Sequence, residues 1–232
     1  MYNEFLLYVR LGSASVDSSF FESTNKGEGI QSLKSDFIKV TNSQFIKTPD
    51  AVELIGVKKG IISGNIFKDT YDDAIDLNDS KSIKIENNFI SDVLDRGIEV
   101  GNENFGSSLN ILVKNNIIEK CNEGIVFKEG SMGLVINNTL YNNNIGLSCV
   151  ELVSGTGGSL VVLENTIFSQ SVFQDINIDQ ASIVETAYLL SDQEVLDGDN
   201  NIYGNPLFID ETSGHFMLTK FLPCIDKGNP LR

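Results

Sequence analysis

The chain has 232 residues, room for one elongated domain rather than two. Its 17 basic residues face 32 acidic ones, for a formal charge of −15. That balance excludes a nucleic-acid partner, whose phosphates require Lys and Arg, and suits cations such as Ca²⁺ or a solvated acidic surface. Cys121, Cys149 and Cys224 make no zinc or redox spacing, and His215 is the only histidine, which rules out a His-based triad or a multi-His metal site. No apolar run reaches the roughly eighteen residues of a membrane span.

At the N-terminus Phe5-Leu6-Leu7-Tyr8-Val9 is too short, and lacks the basic flank, to be a secretion signal; it reads as a strand of an incomplete first coil. With no amphipathic cap before it, this start is expected to continue a longer protein. Then one phrase returns seven times, from Val16, Val40, Ile62, Ile85, Val113, Val135 and Val162: an apolar residue, Asn or Ser three positions on, and an apolar residue two further. The third-step residues are Ser19, Ser43, Asn65, Asn88, Asn116, Asn138 and Asn165. Repeats of this length are too short for paired helices and predict the turns of a β-solenoid. Nine to eleven residues after each third step, a small residue precedes an apolar one, as in Ala51-Val52, Ala74-Ile75, Gly97-Ile98 and Gly124-Ile125. The alternation that follows, Ile75-Asp76-Leu77 or Ile98-Glu99-Val100, puts apolar residues inside and the residue between them outside. The prediction is an all-β, right-handed parallel β-helix of about seven coils. The Asn column is scaffold: Asn tolerates left-handed backbone at turns, and Asn residues stacked once per coil form an amide ladder. Two coils are lengthened, by residues 101–108 and 151–158, and both insertions leave the solenoid at the same edge.

After Ile178 the repeat fades, which predicts a solenoid over 1–180 and an irregular C-terminal cap over 181–232, lying across the last rung. The cap carries Asn205-Pro206-Leu207-Phe208-Ile209-Asp210, then Phe216-Met217-Leu218-Thr219, then Leu222-Pro223-Cys224-Ile225-Asp226-Lys227-Gly228. This resembles N-P-L-F-x-D, F-x-L-T and S-P-x-I-D-x-G, the closing pattern of many bacterial surface and secreted β-helix proteins. Together with the repeats, it makes the chain similar to the pectate-lyase-like superfamily of right-handed β-helix proteins. The resemblance implies an extracellular or cell-surface setting and carbohydrate ligands, without naming a reaction.

Candidate chemistry lies on one outward row. Coil by coil it reads Gln31, Glu53, Asp76, Glu99, Val126, Ser148 and Asn177. At a coil spacing of about 4.8 Å, Glu53, Asp76 and Glu99 stack as three carboxylates. Asp50, Asp72, Asp73 and Asp95 line the flank, with Arg96 among them and Lys128 beyond. Like charges so close are relieved by hydration, by a raised pKa, by a neighbouring cation or by a bound ion, and an all-oxygen set suits Ca²⁺. Glu53, Asp76 and Glu99 are the candidate metal ligands. The polygalacturonase branch of the superfamily carries N-T-D, D-D, G-H-G and R-I-K on successive coils. Here the matching columns hold Thr48-Pro49-Asp50, Asp72-Asp73, Asp95-Arg96-Gly97 and Val126-Phe127-Lys128. The resemblance implies catalytic places for Asp50, Asp72, Asp73, Arg96 and Lys128, although Arg96 stands where the branch has His and Val126 where it has Arg. A calcium-dependent lyase would instead use the carboxylates for the ion and Arg96 or Lys128 as the base. Trp is absent, which leaves Tyr71, Phe105 and Tyr141 as turn residues for sugar stacking. The leading expectation is a carbohydrate-associated module binding acidic polysaccharide through this groove. A polysaccharide-degrading enzyme and a structural spacer of a larger surface protein are the alternatives.

Overall fold

A computed structural model describes residues 6–22, 27–102, 106–211, 214–218 and 227–229. The backbone winds as a right-handed parallel β-helix, with no α-helix among these residues. Each coil lays down three short strands, and each strand pairs in parallel with its counterpart one coil away. The first sheet stacks Leu7–Arg10, Ile30–Leu33, Val52–Ile55 and Ile75–Asn78, then the second halves of Phe89–Val100 and Ile117–Lys128, then Ile145–Val150 and Gln174–Ile178. The second sheet runs from Ser13–Asp17 to Ile183–Ala187. The third runs from Phe20–Glu22 through Ile66–Lys68 and Thr139–Tyr141 to Leu190–Ser191 and Ile202–Tyr203. Parallel pairing thus continues past residue 180, because Leu160–Glu164 pairs with Ile183–Ala187. That makes eight coils among the described residues, one more than the sequence phrase marks.

The core is a column of side chains stacked on themselves. Val52, Ile75, Ile98, Ile125 and Leu147 share one rung position and are fully buried. Phe21, Phe45 and Phe67 stack ring on ring at 4.7 and 5.0 Å. Small residues before the first-sheet strand are a steric necessity: a methyl group on Gly97 would lie 2.6 Å from the Gly124 carbonyl oxygen.

The Asn column is an amide ladder. Asn88 Oδ1 accepts from the backbone N–H and side-chain amide of Asn65, both at 3.0 Å, and Asn88 Nδ2 donates to the Ile62 carbonyl at 3.0 Å. Asn116 and Asn138 repeat the pattern. The left-handed backbone falls one residue earlier, at Gly64, Asn87, Asn115 and Asn137. One expectation needs correction here. Asn165 is outside the ladder: it has φ 50°, and the ladder bond from the Asn138 N–H goes to Thr166 Oγ1. The seventh copy therefore starts at Leu163, which pairs with Val135, and not at Val162. A second ladder, unforeseen in the sequence, joins Ser80, Ser108 and Ser131 at the corner between the first and second sheets.

Near the C-terminus, Phe208–Asp210 and His215–Leu218 form an antiparallel hairpin. Phe208 and Phe216 bury Tyr141 against the side of the solenoid, with Phe89, Ile117 and Ile167 alongside. The described hairpin thus leans on the flank of the middle coils rather than across the last rung. The expected closing pattern at Phe221 to Asp226, and the turn residue Phe105, lie outside the described residues.

Candidate functional site

The outward row of the first sheet is in register: Gln31, Glu53, Asp76, Glu99, Val126, Ser148 and Asn177 pair one to the next. A second column stands at the turn entering each strand, Glu28, Asp50, Asp73, Arg96 and Glu123, each directly before the small residue. Part of this column's work is local. Asp50 Oδ1 accepts the Asp73 backbone N–H at 3.0 Å, and Asp73 Oδ1 accepts that of Arg96 at 2.9 Å. Each carboxylate satisfies a buried donor of the next coil, as a capping side chain would.

These two columns bring the candidate residues together in overlapping trios. Carboxylate oxygens of Asp50, Asp72 and Asp73 lie within 4.8 Å of one another, as do those of Asp73, Asp76 and Glu99. Glu53 stands with Glu28 and Asp50 in a third trio, while Gln31 donates to Glu53 from the coil before. The cations converge on Glu99, whose Oε1 meets Lys128 Nζ at 2.7 Å and whose Oε2 meets Arg96 at 2.5 Å. Arg96 also reaches Asp95 at 3.0 Å, Glu123 at 3.4 Å and Asp73 at 4.0 Å. Lys128 and Glu99 are buried, whereas the Arg96 side chain retains 22% of its exposure.

Burial and mutual repulsion set the protonation of the cluster. Burial, aided by Asp72, Glu28 and Glu53, pushes Asp50 up to about 8 against the opposing bond from the Asp73 N–H. Burial, then Glu99, Asp76 and Asp50, hold Asp73 well above the ordinary carboxylate range. Asp76 is raised by burial and by Glu99 and Asp50. Burial also raises Asp72 and Glu53. For Arg96 burial works downward, but Glu99, Asp73, Asp95 and Glu123 more than offset it and raise the guanidinium.

The groove has built walls. Glu129, itself buried, accepts the N–H groups of Leu152 and Val153 at 2.8 and 3.2 Å and the Thr156 hydroxyl, which folds the 151–158 insertion back onto the solenoid. Ser107, in the other insertion, donates to the Glu129 carbonyl at 2.6 Å, so the two insertions meet at one place. On the opposite border, the turn between the third and first sheets exposes Tyr71, Leu94 and Phe173. Beside it lies a hollow of about 320 Å³ lined by Tyr71, Leu94 and Lys120. A larger one, about 590 Å³, sits on the second sheet among Lys59, Lys84 and Leu112, away from the carboxylates. Tyr141 offers no sugar platform, being buried under Phe208 and Phe216.

Glu28, Asn78, Leu94 and Phe173 join the site without having been singled out in the sequence. The column position before the small residue marks Glu28, whereas nothing in the local sequence marks Leu94 or Phe173 as border residues.

Solved structures similar to this chain include the surface adhesin PfbA of Streptococcus pneumoniae, at 14% identity and TM-score 0.47, covering 82% of this chain and 60% of that one. The Dettilon tailspike protein follows at 12% identity and TM-score 0.40, covering 78% and 57%. The catalytic domain of a GH87 alpha-1,3-glucanase bound to nigerose gives 12% and 0.38, covering 80% and 49%. The chain thus spans about half to three-fifths of each of these structures. No curated protein matches. The family model described as periplasmic copper-binding protein (NosD) matches residues 11–152, more than half of the chain, and the chain belongs to that family.

Proposed function

We propose that the protein is an extracytoplasmic glycan-binding module whose ligand lies along the outward face of the first sheet. One observation carries this reading: a walled, in-register row over seven coils that is hydrogen-bonding at every coil but that of Val126, bordered by the exposed Tyr71, Leu94 and Phe173. A linear polymer repeats as the coils do. Carboxylates accept from sugar hydroxyls, and the apolar border suits the C–H faces of the rings. The family's description as periplasmic supports the setting. Acidic polysaccharide was the expectation from the sequence, but the electrostatics favour a hydroxyl-rich, uncharged glycan. Lys128 and Arg96 both hold Glu99, and a polyanion would meet the surrounding carboxylates.

Hydrolysis is the second reading, favoured by the trio Asp50, Asp72 and Asp73, in which Asp50 is held near 8 and can keep a proton to donate at neutral pH. Affinity electrophoresis through gels containing neutral or acidic polysaccharides, with an assay of released reducing ends, separates these readings. The proposal expects retardation by a neutral glycan, weakened several-fold by Leu94→Asp, with no product. Product release abolished by Asp73→Asn, without the unsaturated ends that an elimination leaves, would establish hydrolysis instead. Unaltered migration in every gel would refute glycan binding.

A further inference from the structure

We propose that Asp73, Asp76 and Asn78, beside Glu99, form a seat for a hard divalent cation of calcium's size, and that the residues present do not fit copper(I), although the family's description names copper. Carboxylate oxygens of Asp73, Asp76 and Glu99, one from each, lie within 4.8 Å of one another, which matches the span across an ion bound at about 2.4 Å to each, and Asn78 adjoins them through its bond to Asp76. An acidic cluster alone would not identify a site, since hydration or protons can relieve it. The second observation is an orphaned acceptor. Asp76 is 7% exposed; its Oδ2 accepts from Asn78 Nδ2 at 2.7 Å, whereas its Oδ1 is enclosed with no hydrogen-bond donor. Asn78, still more deeply buried, likewise has its Oδ1 carbonyl oxygen enclosed without a donor.

A buried carboxylate oxygen without a donor is destabilising, because it has lost its water and gained nothing in exchange, and a cation is the partner that satisfies several such oxygens at once. Neither Lys128 nor Arg96, both of which contact Glu99, donates a hydrogen bond to Asp76 Oδ1, and Arg96 stands 4.0 Å from Asp73 Oδ2.

The donor set decides the type of ion. Copper(I) takes thiolate, thioether and imidazole ligands, whereas carboxylate and amide oxygens suit calcium. Among the described residues, every trio of ligand atoms within reach of one another is made of carboxylates alone. Cys121 and Cys149 are buried thiols that belong to no such group. The residues present therefore do not fit copper(I).

Titration calorimetry on the chelator-treated full chain tests this with calcium chloride and, separately, with copper(I) delivered under a competing chelator. The proposal expects one calcium ion per chain and no copper(I). Asp76→Asn should weaken calcium at least tenfold and Asn78→Ala several-fold, while Glu151→Gln, in the insertion, leaves it unchanged. Circular dichroism confirms that each variant is folded. Two variants guard against the loss of either one to misfolding. Calcium affinity unaltered in folded Asp76→Asn, the absence of any calcium heat, or one copper(I) bound per chain would each overturn the proposal. The glycan reading stands or falls separately, on electrophoresis in chelator.

Discussion

Asn88 shows how much one side chain can organise. Its amide satisfies two groups on Asn65 and the Ile62 carbonyl while it donates to Asn116, all out of reach of water. Replacing it with Ala strands several of these, each worth about 1–3 kcal/mol when left unsatisfied. Asn88→Ala should therefore lower unfolding free energy by about 2–4 kcal/mol in urea titrations. Asn87→Gly, at the left-handed position, should change it by less than about 1 kcal/mol. Equal effects at the two positions would contradict the ladder. Sequence periodicity revealed this column because ladder geometry demands Asn at a fixed step. It misassigned Asn165 because the seventh coil has Thr166 in the ladder and Asn in the left-handed position before it. A one-residue slip then exchanged the inward Leu163 for the outward Val162. The eighth coil was not legible, since Ile183–Ala187 pairs correctly while carrying neither Asn nor the small-then-apolar start.

At the scale of elements, Glu129 fastens the middle of the 151–158 insertion to the solenoid, while Asp179 accepts the Glu151 N–H at its base. Glu129 is buried and takes two backbone N–H groups and a hydroxyl from the loop. Glu129→Ala removes all three and leaves a loop whose apolar side chains, Leu152 and Val153, are exposed rather than packed, so it should be cleaved at least tenfold faster by a broad-specificity protease while the solenoid stays intact. An unaltered cleavage rate would show that the loop is held by something else. The two insertions and their common edge were readable as excess repeat length. Their meeting point was not, because it depends on Glu129, which sits beyond the strand end with nothing in its neighbourhood to mark it. The carboxylate row was legible from period-two alternation alone. Its division into overlapping trios was not, because side-chain direction decides which neighbours share oxygens: Glu53 joins Glu28 and Asp50, and Asp73 joins Asp76 and Glu99.

Over the whole molecule the acidic face makes stability depend on pH in a defined sense. Asp50 is raised to about 8 from an ordinary 3.8, and Asp73 and Asp76 are raised as well, so the folded chain keeps protons that the unfolded chain has released. The stabilisation from these groups is complete below their unfolded values and is lost as pH rises through the folded ones. In calcium-free buffer, the melting temperature should fall from pH 5 to pH 8.5, and Asp50→Asn should flatten the fall. A steady rise over that range would contradict the burial of these carboxyls.

The location of the ligand is the most direct test of the functional account. Hydrogen–deuterium exchange on the full chain, with and without a polysaccharide that retards it, reads that location by peptide. Protection is expected along Val52–Ile55, Ile75–Asn78 and the Arg96–Val100 end of the long strand, with the turns at Tyr71 and Leu94. Protection confined to the second sheet around Lys59, Lys84 and Leu112 would contradict it.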